Sequence, residues 1–171
     1  MSSTPDDRDA SRRLTPEDRA HLARAVALSR EHMRAGEGGP FGAVVVRDGQ
    51  VLAEGWNQVT STNDPTAHAE VVAIRRACEA VGDFALPGAT LYTSCEPCPM
   101  CLASAYWARV SRIVYANTRD DAAAIGFDDQ LIYDEIPKPV TDRLIPTLHA
   151  PSPEAEAVFA EWMRKPDKVT Y

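Results

Sequence analysis

Apolar residues fall into two kinds of block along this chain. Long blocks carry them at helical spacing, and short blocks are nearly continuous runs of strand length. The first long block follows Thr15-Pro16-Glu17-Asp18, which reads as a helix start with a Thr cap, a proline at the first helical position and an acid at the third. Leu22, Val26, Ser29 and Met33 continue at helical spacing, with Leu28 beside them, and the helix should end near Gly36. Residues 41–46 and 51–57 read as two strands joined by an Asp48-Gly49 turn, a hairpin signal. Asp64-Pro65 reads as a cap and first residue of a second helix, which reaches about Val81 with Val71, Val72, Ile74, Ala77, Cys78 and Val81 on a broad apolar face. Residues 90–93 form a buried strand, Pro97 opens a helix that continues through Trp107, and residues 112–116 form the next strand. Further on the pattern weakens. Ala122-Ala123-Ala124 reads as a short helix and Leu131-Ile132-Tyr133 as a short buried piece. Residues 144–148 read as an edge strand, since Pro146 cannot donate to a ladder. Ser152-Pro153 starts a last helix holding Val158, Phe159, Trp162 and Met163. Strands alternating with helices of this length predict an α/β sandwich with part of its sheet parallel.

Composition narrows the picture. A chain of 171 residues suits one domain with a sizeable core. Residues 1–13 are polar, carry almost nothing to bury and are expected to be disordered. The formal charge of −7 disfavours simple tracking of a nucleic-acid backbone, although a local basic patch stays compatible with it. Four cysteines, two of them at ligand spacing, suit a reducing compartment. The start of the chain has no apolar signal region, and no apolar run approaches membrane-spanning length. The expectation is a soluble, cytoplasmic protein.

The chemistry concentrates in two segments, His68-Ala69-Glu70 and Pro97-Cys98-Pro99-Met100-Cys101. One imidazole and two thiolates are the ligands zinc prefers, and three of them leave a fourth tetrahedral position open for water. Cys98 and Cys101, three apart at a helix start, share one face, and the free N–H groups of that turn favour thiolates. Glu70 is not needed as a ligand and is placed to take a proton from that water. A redox pair or a closed structural site that adds Cys95 is the competing reading, but it leaves Glu70 and Pro97 without a role. Cys95 then packs at a strand end and Cys78 in a helix core. Asn57, at the end of the second strand, is either a turn residue or an amide that reads a ring edge. Gly38-Gly39 is either a plain loop or a close approach of backbone to a flat ligand. Gly126-Phe127-Asp128-Asp129 is either a turn with a helix cap or an acid facing a pocket.

Five segments together resemble the cytidine/deoxycytidylate deaminase superfamily: GGPFGAVVV, NDPTAHAEVVAIRRAC, LYTSCEPCPMCLASAYWARV, DDAAAIGFDD and the terminal Tyr171. They carry its H-x-E and P-C-x-x-C signature, and the likeness covers about residues 20–171. The first three are shared by purine-type members. The GFDD segment and the final tyrosine lean toward the small bacterial guanine deaminases, with tRNA adenosine deaminases as near relatives. The resemblance implies a three-layer α/β/α sandwich with a five-stranded mixed sheet, a homodimer, a deaminase domain over residues 14–163, and a tail over residues 164–171 that closes an active site and can be exchanged between subunits. It implies zinc on His68, Cys98 and Cys101, with Glu70 as proton shuttle. Phe41 would pack near the base, Asn57 would hydrogen-bond the purine, Asp129 would meet the substrate amino group and help proton transfer, and Tyr171 would reach into an active site. The implied reaction is deamination of guanine to xanthine and ammonia. The alternatives are adenosine in tRNA, guanosine or another aminated heterocycle, and a zinc-stabilised interaction module without catalysis, for which Glu70 would have no use.

Overall fold

The structure is a computed structural model that describes residues 13–171. The tail expected to be disordered, residues 1–13, therefore lies outside the described residues except for Arg13. The chain divides into two compact units, one ending at Asp129 and one spanning Gln130–Tyr171.

The first unit opens with α1, Pro16–Arg34, under a reciprocal cap in which Thr15 accepts from the Asp18 amide and Asp18 accepts from the Thr15 amide. Its buried stripe is Asp18, Ala25 and Leu28, and Met33 is exposed. Of the expected positions Leu22, Val26, Ser29 and Met33, Leu22 packs against this face and Val26 and Ser29 are half-buried, so only Met33 falls outside it. Asp18 joins that face because it is buried against the sheet by Arg112 at 2.6 and 3.0 Å and by the Tyr92 hydroxyl at 2.7 Å.

Strands β1, Gly42–Arg47, and β2, Gln50–Trp56, form the expected hairpin. Asp48 and Gly49 both take positive φ, 53° and 73°, as a two-residue turn matched to strand twist requires. A single helical turn, α2, Val59–Thr62, replaces the polar loop expected there. Then follow α3, Ala69–Val81, β3, Thr90–Cys95, α4, Pro99–Trp107, β4, Arg112–Asn117, and α5, Arg119–Ala124.

Among the described residues the sheet has four strands in the order β2-β1-β3-β4, not the five expected. β1 runs antiparallel to β2 and β3, and β3 is parallel to β4. Residues 144–148, expected as an edge strand, form no strand in the second unit. Pro146 lacks a donor, and Ile145 and Leu148 are exposed rather than turned into a pleat.

The period-two pattern of β1 sorts the core into two layers. Val44 and Val46, with Tyr92 and Val114, meet Ala25 and Leu28 of α1. Ala43 and Val45, with Leu91, meet Ala69, Ala73, Ile74 and Ala77 of α3 and Ala105 of α4. The result is an α/β/α sandwich. Because β1 is reversed, its first residue, Gly42, lies opposite Trp56 at the end of β2, and Cys95 at the end of β3 lies opposite Asn117 at the end of β4. Three strand C-termini and one N-terminus therefore share a single sheet edge.

The second unit holds α6, Gln130–Glu135, a 3₁₀ turn, Val140–Asp142, and α7, Pro153–Arg164. The buried piece expected at Leu131-Ile132-Tyr133 is instead helical, with Leu131 and Ile132 exposed. Ser152 caps α7 by accepting from the Ala155 amide at 3.2 Å. No helix among the described residues is long and apolar enough to cross a membrane.

Candidate active site

The expected ligands arrive from two helix starts at that shared edge. His68 is itself the N-cap of α3, with φ −68° and ψ 154°, and Cys98 is the N-cap of α4, with φ −63° and ψ 168°. The expectation that Pro65 and Pro97 open these helices is corrected by one turn in the first case and by two residues in the second. Pro65 sits in a turn in which Asp64 accepts from the amide and hydroxyl of Thr66, and Pro99 is the proline at the start of α4. An N-cap keeps extended backbone angles, so its side chain projects off the helix end.

His68 Nδ1 lies 3.6 Å from Cys98 Sγ and 3.5 Å from Cys101 Sγ, and the three donor atoms lie within 4.8 Å of one another. Zinc–sulfur and zinc–nitrogen bonds of about 2.3 and 2.0 Å at a tetrahedral angle put sulfur and nitrogen roughly 3.5 Å apart. The donor set therefore fits a tetrahedral cation in both element and spacing. The Cys98 thiol is held down to about 4 by the Cys101 thiol and by His68, against the opposing effect of burial. Cys101 is pushed up by Cys98 and by burial, and His68 is raised chiefly by the Cys98 sulfur. Cys95 ends β3, is buried and donates to the Thr118 carbonyl at 3.4 Å, apart from the three-donor group.

Glu70, in the first turn of α3, is buried, and burial pushes its carboxyl up. Its Oε2 lies 3.4 Å from Cys101 Sγ, and its Oε1 accepts from the Thr93 hydroxyl at 3.2 Å. An acid so enclosed, beside three metal-type donors, is what a proton-transfer group requires.

Asn57 is buried just past β2. Its Oδ1 accepts from the amides of Gly39 and Val59, both at 3.2 Å, so any further bond from this side chain is donated by its NH₂ group. Phe41, just before β1, meets Phe127 edge to face at 4.9 Å, and its carbonyl accepts from the Asn57 amide at 3.0 Å. Gly38 packs so closely on Asn57 that a Cβ there would overlap the Asn57 carbonyl, so the glycine is required by packing within the protein itself. Asp129 is partly buried at the end of the first unit, and its carboxyl is raised by burial and then by the Cys98 sulfur. These residues gather on the first unit. Tyr171 ends the second unit and is exposed.

Sequence reasoning missed Thr93, which looks like any β-branched strand residue. It also missed a stack behind Asn57, where His32 lies 3.6 Å from Trp56, Arg76 covers that ring at 4.4 Å, and Trp56 Nε1 donates to Glu37 at 2.6 Å. Glu37 adjoins the glycines that grip Asn57, so the stack anchors that loop. Only the glycines themselves signalled it.

Comparison with known proteins agrees with this geometry. Residues 15–117 match the cytidine and deoxycytidylate deaminase zinc-binding region. The chain is 53% identical over 150 residues to the guanine deaminase of Bacillus subtilis strain 168, covering 88% of this chain and 96% of that protein. The X-ray structure of guanine deaminase from Bacillus subtilis superposes with a TM-score of 0.88 at 51% identity, covering 92% of this chain and 99% of that one. A tRNA-specific adenosine deaminase of Aquifex aeolicus is 30% identical over 82% of this chain and 91% of its own length. With the ligand triad and the buried acid at the sheet edge, these likenesses make the chain a member of the zinc-binding cytidine and deoxycytidylate deaminase family.

Proposed function

We propose that this chain is a zinc-dependent guanine deaminase, which converts guanine and water to xanthine and ammonia. The observation that carries the reading is 53% identity over nearly the whole of a guanine deaminase, against 30% for a tRNA-specific adenosine deaminase compared over a similar length.

In this reading His68, Cys98 and Cys101 hold the metal. When bound, zinc supplies the Lewis acidity that makes a water nucleophilic near neutral pH. Glu70 takes the proton of the attacking water at Oε2 and delivers it to the ring nitrogen beside C2. A second proton goes by the same carboxylate to the departing amine, so that one water is consumed and one ammonia leaves. Asn57 donates from its NH₂ group to an acceptor on the purine, since its oxygen is already taken by two backbone amides. Phe41, braced by Phe127, packs against the flat ring. Asp129 accepts from the amino group that is lost. Its raised carboxyl also makes it a better proton acceptor than an exposed aspartate.

The working assembly in this reading is a homodimer in the cytoplasm. No residue from 130 to 171 is buried, and Leu144, Ile145, Leu148, Phe159 and Met163 all stand exposed. A second copy covers that apolar surface, and residues 164–171 bring Tyr171 to an active site. The four free cysteines suit a reducing compartment.

The test is ammonia release by zinc-loaded protein on guanine, guanosine, adenine, adenosine, cytosine, cytidine and an anticodon stem-loop RNA, side by side. Guanine should be turned over with the highest kcat/KM. A higher value on the RNA or on adenosine would replace this reading with the adenosine one.

A further inference from the structure

We infer that Thr93 is the positioning residue of the proton shuttle: its hydroxyl fixes one oxygen of Glu70, so that the other stays turned to the metal ligands. The inference rests on Glu70 being that shuttle. Thr93 lies on β3 opposite Ala43, on the sheet face that packs Val45 and Leu91 against Ala69 and Ala73 of α3, and it is 1% exposed. A hydroxyl in such apolar surroundings is costly unless it finds a partner. Its partner is Glu70 Oε1, at 3.2 Å. The other oxygen, Oε2, lies 3.4 Å from Cys101 Sγ, a residue of the ligand triad.

The two oxygens of one carboxylate thus have different neighbours. The terminal torsion of a glutamate is broad and roughly two-fold, so an untethered carboxylate exchanges its oxygens and samples a wide arc. The Thr93 hydroxyl narrows that freedom by holding Oε1 on the sheet side, in addition to the bond the carboxylate takes from its own backbone amide. Oε2 is then the atom that meets the attacking water and carries each proton. Valine has nearly the shape of threonine and equally suits a buried strand, so only a need for the hydroxyl distinguishes them at this position.

The experiment compares Thr93→Val and Thr93→Ser with the unaltered zinc-loaded protein. Thr93→Val is expected to lower kcat about 10- to 100-fold, as loss of a group supporting a metal site does, with KM for guanine and affinity for xanthine by calorimetry within about twofold. Zinc content should stay at one per chain in both variants. Thr93→Ser should recover most of kcat, and adding Thr93→Val to Glu70→Gln should cost little more. Unchanged kcat in Thr93→Val would overturn the inference. So would a loss of kcat that tracks lost zinc, weakened xanthine binding or a lowered melting temperature, because the residue would then be structural. If Glu70→Gln keeps its turnover, the shuttle itself fails. If guanine is not turned over, the same comparison is made on whichever substrate of the ammonia-release panel is, with its deaminated product in the calorimetry, so the two failures are told apart.

Discussion

At the scale of single residues, Glu70 has the most to lose from a small change. It is buried, its carboxyl is pushed up by that burial, and it lies among sulfurs and an imidazole rather than beside an arginine or lysine. Glu70→Gln keeps the shape and the acceptor for Thr93 but removes proton transfer. The expected result is one zinc per chain, an unchanged melting temperature within a few degrees, and kcat on guanine lower by about 10²- to 10⁴-fold. Zinc assay and steady-state kinetics on one preparation check it. Turnover near the parent value would remove Glu70 from the mechanism. His68, Glu70, Cys98 and Cys101 were legible in the sequence because metal chemistry restricts residue type and spacing so tightly. The way they are presented was not. Prolines at 65 and 97 look like helix openers, yet two of the expected ligands, His68 and Cys98, occupy the N-caps, where extended backbone aims them off the helix ends, and Cys101 sits in the first turn that follows. Thr93 was illegible because its partner is 23 positions away in sequence, and nothing local marks a strand threonine as more than a β-former.

At the scale of elements, the docking of α1 on the sheet depends on a buried charge. Asp18 reads as a first-turn acid suited to the helix dipole, and it does cap the helix, but it also faces inward to Arg112 and Tyr92. The Arg112 guanidinium holds its carboxyl far below the usual carboxylate range, with the Thr15 amide and the Tyr92 hydroxyl adding to the effect, while burial acts the other way. A group whose folded pKa is depressed stabilises the fold above its unfolded pKa, about 3.9 for aspartate, and that stability is lost as pH falls toward the folded value. Asp18→Asn removes the charge of a buried carboxylate that pairs with Arg112, and breaking such a pair costs about 3 kcal/mol at neutral pH. The variant should melt well below the parent at pH 7, and the gap should narrow as pH drops below about 4. Melting curves at pH 7, 5 and 3 decide it, and a gap that stays constant across them would show that the charge pair does not hold α1 down. The strands and the long helices were legible from periodicity, because each buries a continuous stripe. The fifth strand was misread for the complementary reason. Residues 144–148 carry the apolar residues of a strand without a paired neighbour, and apolar character alone does not make a ladder.

At the scale of the whole molecule, the question is what covers the second unit. Its last helix, α7, leaves Val158, Phe159 and Met163 exposed in a single chain, and an amphipathic helix with its apolar side in water is a poor end state. The proposed homodimer gives that side a cover, and exchange of residues 164–171 would put Tyr171 into the partner's site. Exchange makes a prediction that a dimer without it does not. Tyr171→Ala and Glu70→Gln proteins are each expected to be nearly inactive. Mixed, unfolded and refolded together with zinc, they form hybrid dimers. In a hybrid, the core with intact Glu70 receives Tyr171 from the partner, while the other core has neither. Random pairing makes roughly half of the dimers hybrid with one working site in each, so about a quarter of the parent activity should return. If Tyr171 serves its own chain, every core in the mixture lacks one of the two groups and no activity returns. Light scattering on the refolded mixture separates that outcome from failure to dimerise. A monomer by scattering would refute the assembly itself, and an inactive dimer would refute the exchange.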